Sequence, residues 1–236
     1  MKTAIFGASL ALCALLAQAQ TASHQYRLDG NLLDDMGGSA LISHGGSLDT
    51  TGYSFGANQG LEMSAALGSV YTIDLSFHFD TQGDWQKIVD FKALAADSGM
   101  YREGDLWSFY PVVSGGPVLA AVDARLTLTR DAAGMLLIYG NGALVHTVDD
   151  SSNAYADFGS LPAYFFIDDG ATLHEASPGR VDYIRTYDMA LSATQVANLS
   201  AVPEPASALL ALLGLAAVLP VVRRQTRARN RNRNRG

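Results

Sequence analysis

Apolar and polar residues alternate with a period of two along much of the middle of this chain. Within segment 70–79, polar and apolar residues alternate strictly from Thr72 to Phe79. This pattern is typical of a strand with one face in the core and the other in solvent, so we predict a half-buried antiparallel strand. The apolar residues are Ile73, Leu75, Phe77 and Phe79, and the polar ones are Thr72, Asp74, Ser76 and His78.

An Asn-Gly dipeptide gives a second local signal. Asn141 and Gly142 separate the apolar runs 135–139 and 143–148. Asn and Gly both tolerate the positive φ angles of a two-residue hairpin turn, so we predict a β-hairpin here. Further strands are predicted over residues 86–92, 106–110, 118–129, 163–167 and 180–187, and strict alternation in the last would place Val181, Tyr183, Arg185 and Tyr187 on one face.

Helix is predicted at a single place within residues 20–201. Ser192 and Gln195 form a capping-box pattern, and Val196 and Leu199 follow with helical spacing. We expect this short helix to pack its small apolar face against a sheet edge. Many turn-rich spacers separate the strands, so the region is predicted to be one all-β sandwich domain.

The N-terminus has the three parts of a secretory signal peptide. A positive start at Lys2 precedes an apolar core over residues 5–16, and Ala17 and Ala19 form a small-x-small cleavage site. We predict a signal helix over residues 1–19. Cys13, the sole cysteine of the chain, lies inside it, so the exported domain would have no disulfide.

The C-terminus has a three-part pattern of its own. Val202, Pro203, Glu204 and Pro205 precede an apolar segment over residues 206–222, which at 17 residues is near the lower limit for a transmembrane helix. Arg223, Arg224 and an alternating Arg/Asn tail follow as a cationic stop, which predicts a cytoplasmic end. A plain membrane anchor behind a Pro-rich linker is the alternative interpretation.

Charge divides sharply along the chain, whose formal net charge is −7. Lys2 and the seven tail arginines account for eight of the 16 basic residues, and Glu204 for one of the 23 acidic residues. The 8 basic and 22 acidic residues that remain give residues 20–201 a net charge of about −14. Such a domain is a poor partner for nucleic acid or anionic membranes, and it suits neutral polysaccharide or divalent cations.

The C-terminal pattern over residues 202–236 resembles the PEP-CTERM sorting signal of exported bacterial proteins. The resemblance implies secretion, retention in the inner membrane by the C-terminal helix, and cleavage near the Pro-Glu-Pro element by an exosortase. It therefore implies that the cell surface or the extracellular matrix is the destination.

Residues 24–200 resemble a laminin-G-like, concanavalin A-like domain. The resemblance rests on residues 26–35, on residues 126–131 followed by 134–142, and on residues 179–188 with Leu191 and Ser192. It implies a two-sheet jelly roll of about a dozen strands. Domains of this type bind carbohydrate, protein or calcium, and some relatives hydrolyse glycans, so fold alone does not decide function.

Calcium is the cofactor that the laminin-G resemblance implies, held at a sandwich rim by loop carboxylates. Asp168 and Asp169 follow an apolar strand and precede Gly170, which suits a hard cation with oxygen ligands. Paired acids after a strand are also ordinary turn formers. The pairs Asp34-Asp35 and Asp149-Asp150 are rival candidates.

The enzymatic alternative centres on Glu103 and Asp105, which resemble the start of the catalytic strand of laminarinase-like glycosidases. A retaining mechanism needs a second carboxyl, and Ser108 occupies the position where that pattern has its second Glu. We therefore interpret Glu103 and Asp105 as turn residues before a strand. Aromatic side chains near turns could stack on sugars or simply close the core: Trp85, Trp107, Tyr53, Tyr101 and Tyr155.

The combined prediction is a non-enzymatic bacterial surface or matrix protein that adheres to polysaccharide or protein. A glycan-active enzyme or its remnant is the first alternative, and a structural biofilm component without a discrete ligand is the second. The five histidines are scattered through the sequence, and we expect each to be a surface or structural residue: His24, His44, His78, His146 and His174.

Overall fold

Two antiparallel sheets enclose one main hydrophobic core in the computed structural model, which describes residues 20–117 and 123–199. The predicted all-β sandwich is thereby confirmed, and the arrangement is consistent with a jelly roll. In the described ranges no helix has the length and apolar character needed to cross a membrane. The predicted signal helix and transmembrane helix lie outside the described residues.

Sheet 1 has eight strands in the order β13-β12-β11-β6-β15-β4-β3, with β1 also paired to β15. The bounds are β1 (His24–Tyr26), β3 (Ser47–Leu48), β4 (Tyr53–Phe55), β6 (Tyr71–Phe79), β11 (Ala124–Arg130), β12 (Met135–Gly140), β13 (Ala143–Asp149) and β15 (Gly179–Tyr187).

Sheet 2 has seven strands in the order β10-β9-β8-β7-β14-β5-β2. The bounds are β2 (Ile42–Ser43), β5 (Leu61–Met63), β7 (Gln86–Asp90), β8 (Gly99–Glu103), β9 (Leu106–Tyr110), β10 (Val113–Pro117) and β14 (Ala163–Phe165).

The strongest local signals correspond to observed elements. The alternating segment 70–79 forms β6, and its apolar face enters the core. Asn141 and Gly142, with φ angles of 52° and 82°, form the turn of the β12–β13 hairpin, as the sequence predicts. The other predicted strands are present with slightly different bounds, except that residues 118–122 of the predicted 118–129 strand lie outside the described ranges.

The prediction that β6 is half-buried is wrong for the first residues of the strand. Thr72 and Asp74, on the polar face, are both fully buried. Asp74 accepts hydrogen bonds from Arg125 Nε (2.7 Å), Thr127 Oγ1 (2.7 Å), and Arg185 Nε (3.2 Å) and Nη2 (2.6 Å). Two arginines on neighbouring strands thus cover a carboxylate that alternation assigns to solvent.

The C-terminal helix α1 (Ala193–Asn198) completes this cover. Ser192 and Gln195 form the predicted capping box, which is confirmed. Val196 packs in a small apolar cluster with Tyr139 of β12 and Tyr187 of β15. Because β11 and β6 lie between those two strands, α1 crosses the outer face of sheet 1, and the prediction of a sheet-edge contact is wrong.

Strand β15 departs from strict alternation through a β-bulge between Val181 and Tyr183. As a result, Val181 and Ile184 both belong to the main core, although alternation would place them on opposite faces. Tyr183 instead lies against the Arg185 guanidinium, 4.6 Å from the ring centroid. The bulge therefore changes the face of the sheet on which Tyr183 and Arg185 lie, next to the buried Asp74.

Candidate functional site

A polar surface groove of about 430 Å³ lies at the end of sheet 1 opposite α1. It forms where the last residues of β6 meet the first residues of β15, next to β3 and β4. Its lining combines glycines with polar and charged side chains: Gly45, Gly46, Ser47, Ser54, Phe55, Gly56, Gln59, His78, Asp80, Gly179 and Arg180. We refer to it as the rim groove.

Close backbone packing explains two of the glycines in the rim groove. A Cβ atom on Gly179 would lie 2.3 Å from the His78 carbonyl oxygen, and one on Gly46 would lie 2.5 Å from the Ser54 carbonyl oxygen. The buried Tyr53 hydroxyl fixes the neighbouring loops, since it accepts from Gly46 N (2.8 Å) and lies 2.8 Å from the Gln59 carbonyl oxygen. The groove wall is therefore built by β4 and the turns on each side of it.

Charged side chains line and flank the rim groove. Arg180 binds both carboxylate oxygens of Asp49, at 2.7 and 3.0 Å, and this contact lowers the pKa of Asp49. His78 Nδ1 lies 2.9 Å from Asp123 Oδ1, and His78 Nε2 lies 3.8 Å from Asp80 Oδ1. Asp80 lines the groove while Asp49 and Asp123 flank it, so carboxylates outnumber arginines around the groove.

Asp182 also flanks the groove, with Oδ1 3.5 Å from Arg180 Nε. Burial raises the pKa of Asp182, and the hydrogen bond from Ser76 Oγ (2.9 Å) opposes that rise. An acidic groove disfavours anionic ligands and leaves donors and acceptors suited to hydroxyl groups.

The sequence did not identify His78 or Arg180 as site residues. They are Cα partners on β6 and β15, so only the strand pairing brings them together. Three of the other histidines have the structural partners expected: His24 binds Asp34, His44 binds Glu62, and His146 Nε2 contacts the carbonyl oxygens of Trp107 and Gly115. The polar face of β6 was the available signal for His78.

Most of the predicted aromatic stacking platforms are internal. Trp107, Tyr53 and Tyr101 are buried, so they pack the protein and do not face a ligand. Trp85 is half-buried and packs edge-on against Tyr110, 5.5 Å between centroids. Tyr110 is 37% exposed, which makes this pair on sheet 2 the more accessible aromatic surface.

The prediction of a turn position is confirmed for Asp105 and wrong for Glu103, which belongs to a strand. Glu103 ends β8, Asp105 lies in the β8–β9 turn, and Trp107 and Phe109 of β9 are buried. Glu103 Oε2 accepts a hydrogen bond from Ser114 Oγ at 2.9 Å. The two carboxylates therefore close a hairpin away from the rim groove.

Asp169, a predicted calcium ligand, already contacts a cation of the protein. Its Oδ2 binds the Lys87 ammonium, and both side chains are fully buried. Its Oδ1 accepts hydrogen bonds from the backbone N–H groups of Ala171 (2.7 Å) and Thr172 (3.3 Å). Lys87 Nζ also lies 3.2 Å from Asp90 Oδ2, so a buried ammonium bridges two carboxylates.

Asp168, the other predicted calcium ligand, lies beside a second buried acid. Its Oδ2 accepts from Glu175 N at 3.0 Å, while Oδ1 is buried and has no hydrogen-bond partner among the described residues. Glu175, Asp97 and Asp169 place carboxylate oxygens within 4.8 Å of one another. Burial raises the pKa of Glu175 to about 7, and the Asp97 and Asp168 charges act in the same direction.

The two rival acid pairs each place one residue in a structural role. Asp34 accepts backbone hydrogen bonds from Gln25 and Met36. Asp150 is fully buried and pairs with Arg130. Calcium at Asp168 and Asp169 stays a prediction. The predicted processing residues lie outside the described ranges: Ala17, Ala19, Val202, Pro203, Glu204, Pro205, Arg223 and Arg224.

No known protein-family model and no curated protein matches this sequence. Solved structures share the sandwich at low identity. Trypanosoma rangeli sialidase in complex with 2,3-difluorosialic acid gives a TM-score of 0.65 at 12% identity over 77% of this chain. The match spans 33% of the sialidase chain, so this protein corresponds to about a third of that enzyme.

Two further matched structures are described as a ligand complex and as a binding domain. Domain 4 of the extracellular GH43 arabinanase AbnA from Geobacillus stearothermophilus, in complex with arabinotriose, gives a TM-score of 0.58 at 15% identity. That match covers 75% of this chain and 97% of domain 4. The binding domain of botulinum neurotoxin serotype D gives 0.53 at 10% identity, over 75% of this chain and 50% of that one. At these identities the likeness establishes the fold alone.

Proposed function

We propose that this protein is an exported, non-enzymatic surface or matrix protein whose β-sandwich binds a neutral polysaccharide in the rim groove. The observation that carries the proposal is the groove itself, where polar side chains from β6 and β15 converge on an open cleft. The arabinotriose complex of AbnA domain 4, which is matched over nearly its whole length, supports a saccharide as ligand.

The chemistry of the rim groove favours hydroxyl recognition. His78 and Gln59 offer N–H donors and Asp80 offers carboxylate acceptors, while the Arg180 guanidinium is held by Asp49, Ser54 and Thr51 and fixes the groove wall. The flanking carboxylates of Asp49, Asp123 and Asp182 add negative charge around the groove, so a neutral sugar is a better ligand than an acidic one. A protein surface is the alternative ligand. The support for it is that one of the matched structures is the binding domain of a neurotoxin.

Glycan hydrolysis is the second candidate function, and Asp182 is the residue that favours it. Its raised pKa is a feature of general acids, and it lies next to the groove. Arg180 and Ser76 nevertheless hold both of its oxygens, which suits a structural role. Release of reducing ends from a bound polysaccharide, abolished by Asp182→Asn, would favour the enzyme.

The sorting proposal rests on the terminal sequences. In it, residues 1–19 direct export, the 206–222 segment holds the protein in the inner membrane, and an exosortase cleaves near residues 202–205. Residues next to both predicted cleavage points are bound within the folded domain, since Gln195 Nε2 donates to Gln20 Oε1 (3.2 Å) and Arg125 Nη1 donates to the Leu199 carbonyl (2.9 Å). The intact mass of the exported protein tests it, and retention of residues 206–236 would contradict it.

Glycan-array binding by the purified protein tests the ligand proposal. His78→Ala removes a polar side chain that lines the groove, and Arg180→Gln releases the contacts that hold its wall, so each should weaken binding to a neutral glycan by about tenfold, which is roughly 1.4 kcal/mol. Asp105→Asn is the matched control, because it alters a charged turn outside the groove. Unchanged binding in both groove variants would refute this site.

A further inference from the structure

Lys87 is a buried amine that the proposed binding site does not use. Its side chain is fully buried on β7 and contacts Asp169, in the loop after β14. The two strands are paired in sheet 2, and the Lys87 backbone N–H donates to the Glu175 carbonyl at 2.8 Å. The backbone therefore fixes both ends of the Lys87–Asp169 contact.

The hydrogen bonds of the Asp169 carboxyl group suit attack by a nucleophile on its carbon atom. One carboxylate oxygen, Oδ1, accepts from the N–H groups of Ala171 (2.7 Å) and Thr172 (3.3 Å), while the other meets the ammonium. If a nucleophile attacked Cγ, negative charge would develop on Oδ1. Two backbone donors aimed at that oxygen would stabilise it, as in an oxyanion hole.

Two further carboxyl groups lie close to the reacting pair. Asp90 Oδ2 lies 3.2 Å from Lys87 Nζ and has no hydrogen-bond partner among the described residues, so it is free to accept a proton from the ammonium. Glu175 places a carboxylate oxygen within 4.8 Å of Asp169, and its buried Oε2 has no hydrogen-bond partner in residues 20–117 and 123–199. A carboxyl group with a free oxygen at this position is the available proton donor for the leaving oxygen.

The geometry points to an intramolecular isopeptide bond between Lys87 and Asp169, formed with Asp90 as proton acceptor and Glu175 as proton donor. The Lys87 Nζ–Asp169 Cγ bond forms and the Asp169 Cγ–Oδ2 bond breaks. Oδ2 leaves as water with two protons that originate on the ammonium. Asp90 and Glu175 relay those protons and return to their starting states, so the step is redox-neutral and needs no co-reactant.

Burial and proximity favour this step. Both reacting side chains are fully buried, and intramolecular placement replaces the entropic cost of a bimolecular encounter. The bond would join positions 82 residues apart. The chain has one cysteine, at position 13, so this amide would give the exported domain a covalent brace that a disulfide within it cannot supply.

Mass spectrometry of the purified full-length or exported protein tests the inference. The expected intact mass is lower than that of the unmodified chain by one water molecule, and proteolysis should release a branched peptide that joins Lys87 to Asp169. An unmodified mass in the folded protein overturns the inference. A water loss that maps to a succinimide at Asp169-Gly170, or to a Lys87–Asp90 bond, also overturns it.

Two variants separate the chemistry from folding. Glu175→Gln retains both reacting side chains and should reduce the cross-linked fraction at least tenfold. Asp97→Asn is the matched control, because it removes a negative charge from the same cluster without removing a group assigned to the reaction, and it should cross-link like the wild type. Circular dichroism checks the fold of each variant. Undiminished cross-linking in a folded Glu175→Gln protein would refute the assigned role of Glu175.

Discussion

Replacement of the buried Asp74 by Asn is predicted to destabilise the domain severely. Asp74 is fully buried and accepts four hydrogen bonds, three of them from the guanidinium groups of Arg125 and Arg185. An Asn side chain has the same shape, but it is neutral and offers one accepting oxygen. Two guanidinium groups beneath α1 would then lack their counter-ion.

The expected cost follows from the burial of this ion-pair network. Loss of one partner from a buried pair typically costs about 3–5 kcal/mol, because an uncompensated charge stays in a low dielectric. In a domain of this size each kcal/mol lowers Tm by roughly 2–4 °C, so Asp74→Asn should lower Tm by about 6–20 °C. Urea unfolding followed by circular dichroism measures the free energy directly.

Asp49→Asn is the matched control for this experiment. Asp49 also binds an arginine through both oxygens, but its side chain is 57% exposed. Solvent screens such a pair, so its loss should cost far less than the loss of the Asp74 network. If Asp74→Asn cost as little as Asp49→Asn, the buried-network explanation would be refuted.

Three further predictions follow from single contacts. Gly179→Ala should destabilise the domain by about 1–3 kcal/mol in urea, because its Cβ would collide with the His78 carbonyl oxygen; an unaltered midpoint would contradict the close-packing argument. Glu175 has a pKa raised from 4.5 to about 7, so its contribution to stability should fall as pH rises between these values, and Glu175→Gln should flatten that part of a Tm-against-pH curve. If the predicted calcium site exists, millimolar calcium should raise the wild-type Tm and should not raise that of Asp168→Asn; equal responses would count against it.

The sequence predicted the parts of the fold that depend on local pattern. The β6 alternation, the Asn141-Gly142 hairpin and the capping box at Ser192 each act within a few residues, and each has its counterpart in the structure. The strands β1 to β5 are two or three residues long, too short for any period to be visible. Their pairing depends on neighbours distant in sequence.

The site was harder to predict because pairing creates it. His78 and Arg180 meet only through the β6–β15 register, and Lys87 meets Asp169 only through the β7–β14 pairing. A lysine in a strand is ordinarily expected to face solvent. The residues next to Lys87 in the sequence therefore do not predict that its side chain is fully buried. The sequence predicts a calcium ion at Asp169. The cation that contacts Asp169 in the structure is the ammonium group of Lys87.

Isothermal titration of the purified protein with neutral oligosaccharides, arabino-oligosaccharides among them, tests the proposed function most directly. The wild type is expected to bind measurably. The affinity of Arg180→Gln should be lower by about tenfold or more, and that of Asp105→Asn should equal the wild-type affinity. Absence of binding to every neutral glycan tested, or equal binding by wild type and Arg180→Gln, would contradict the rim groove as a saccharide site.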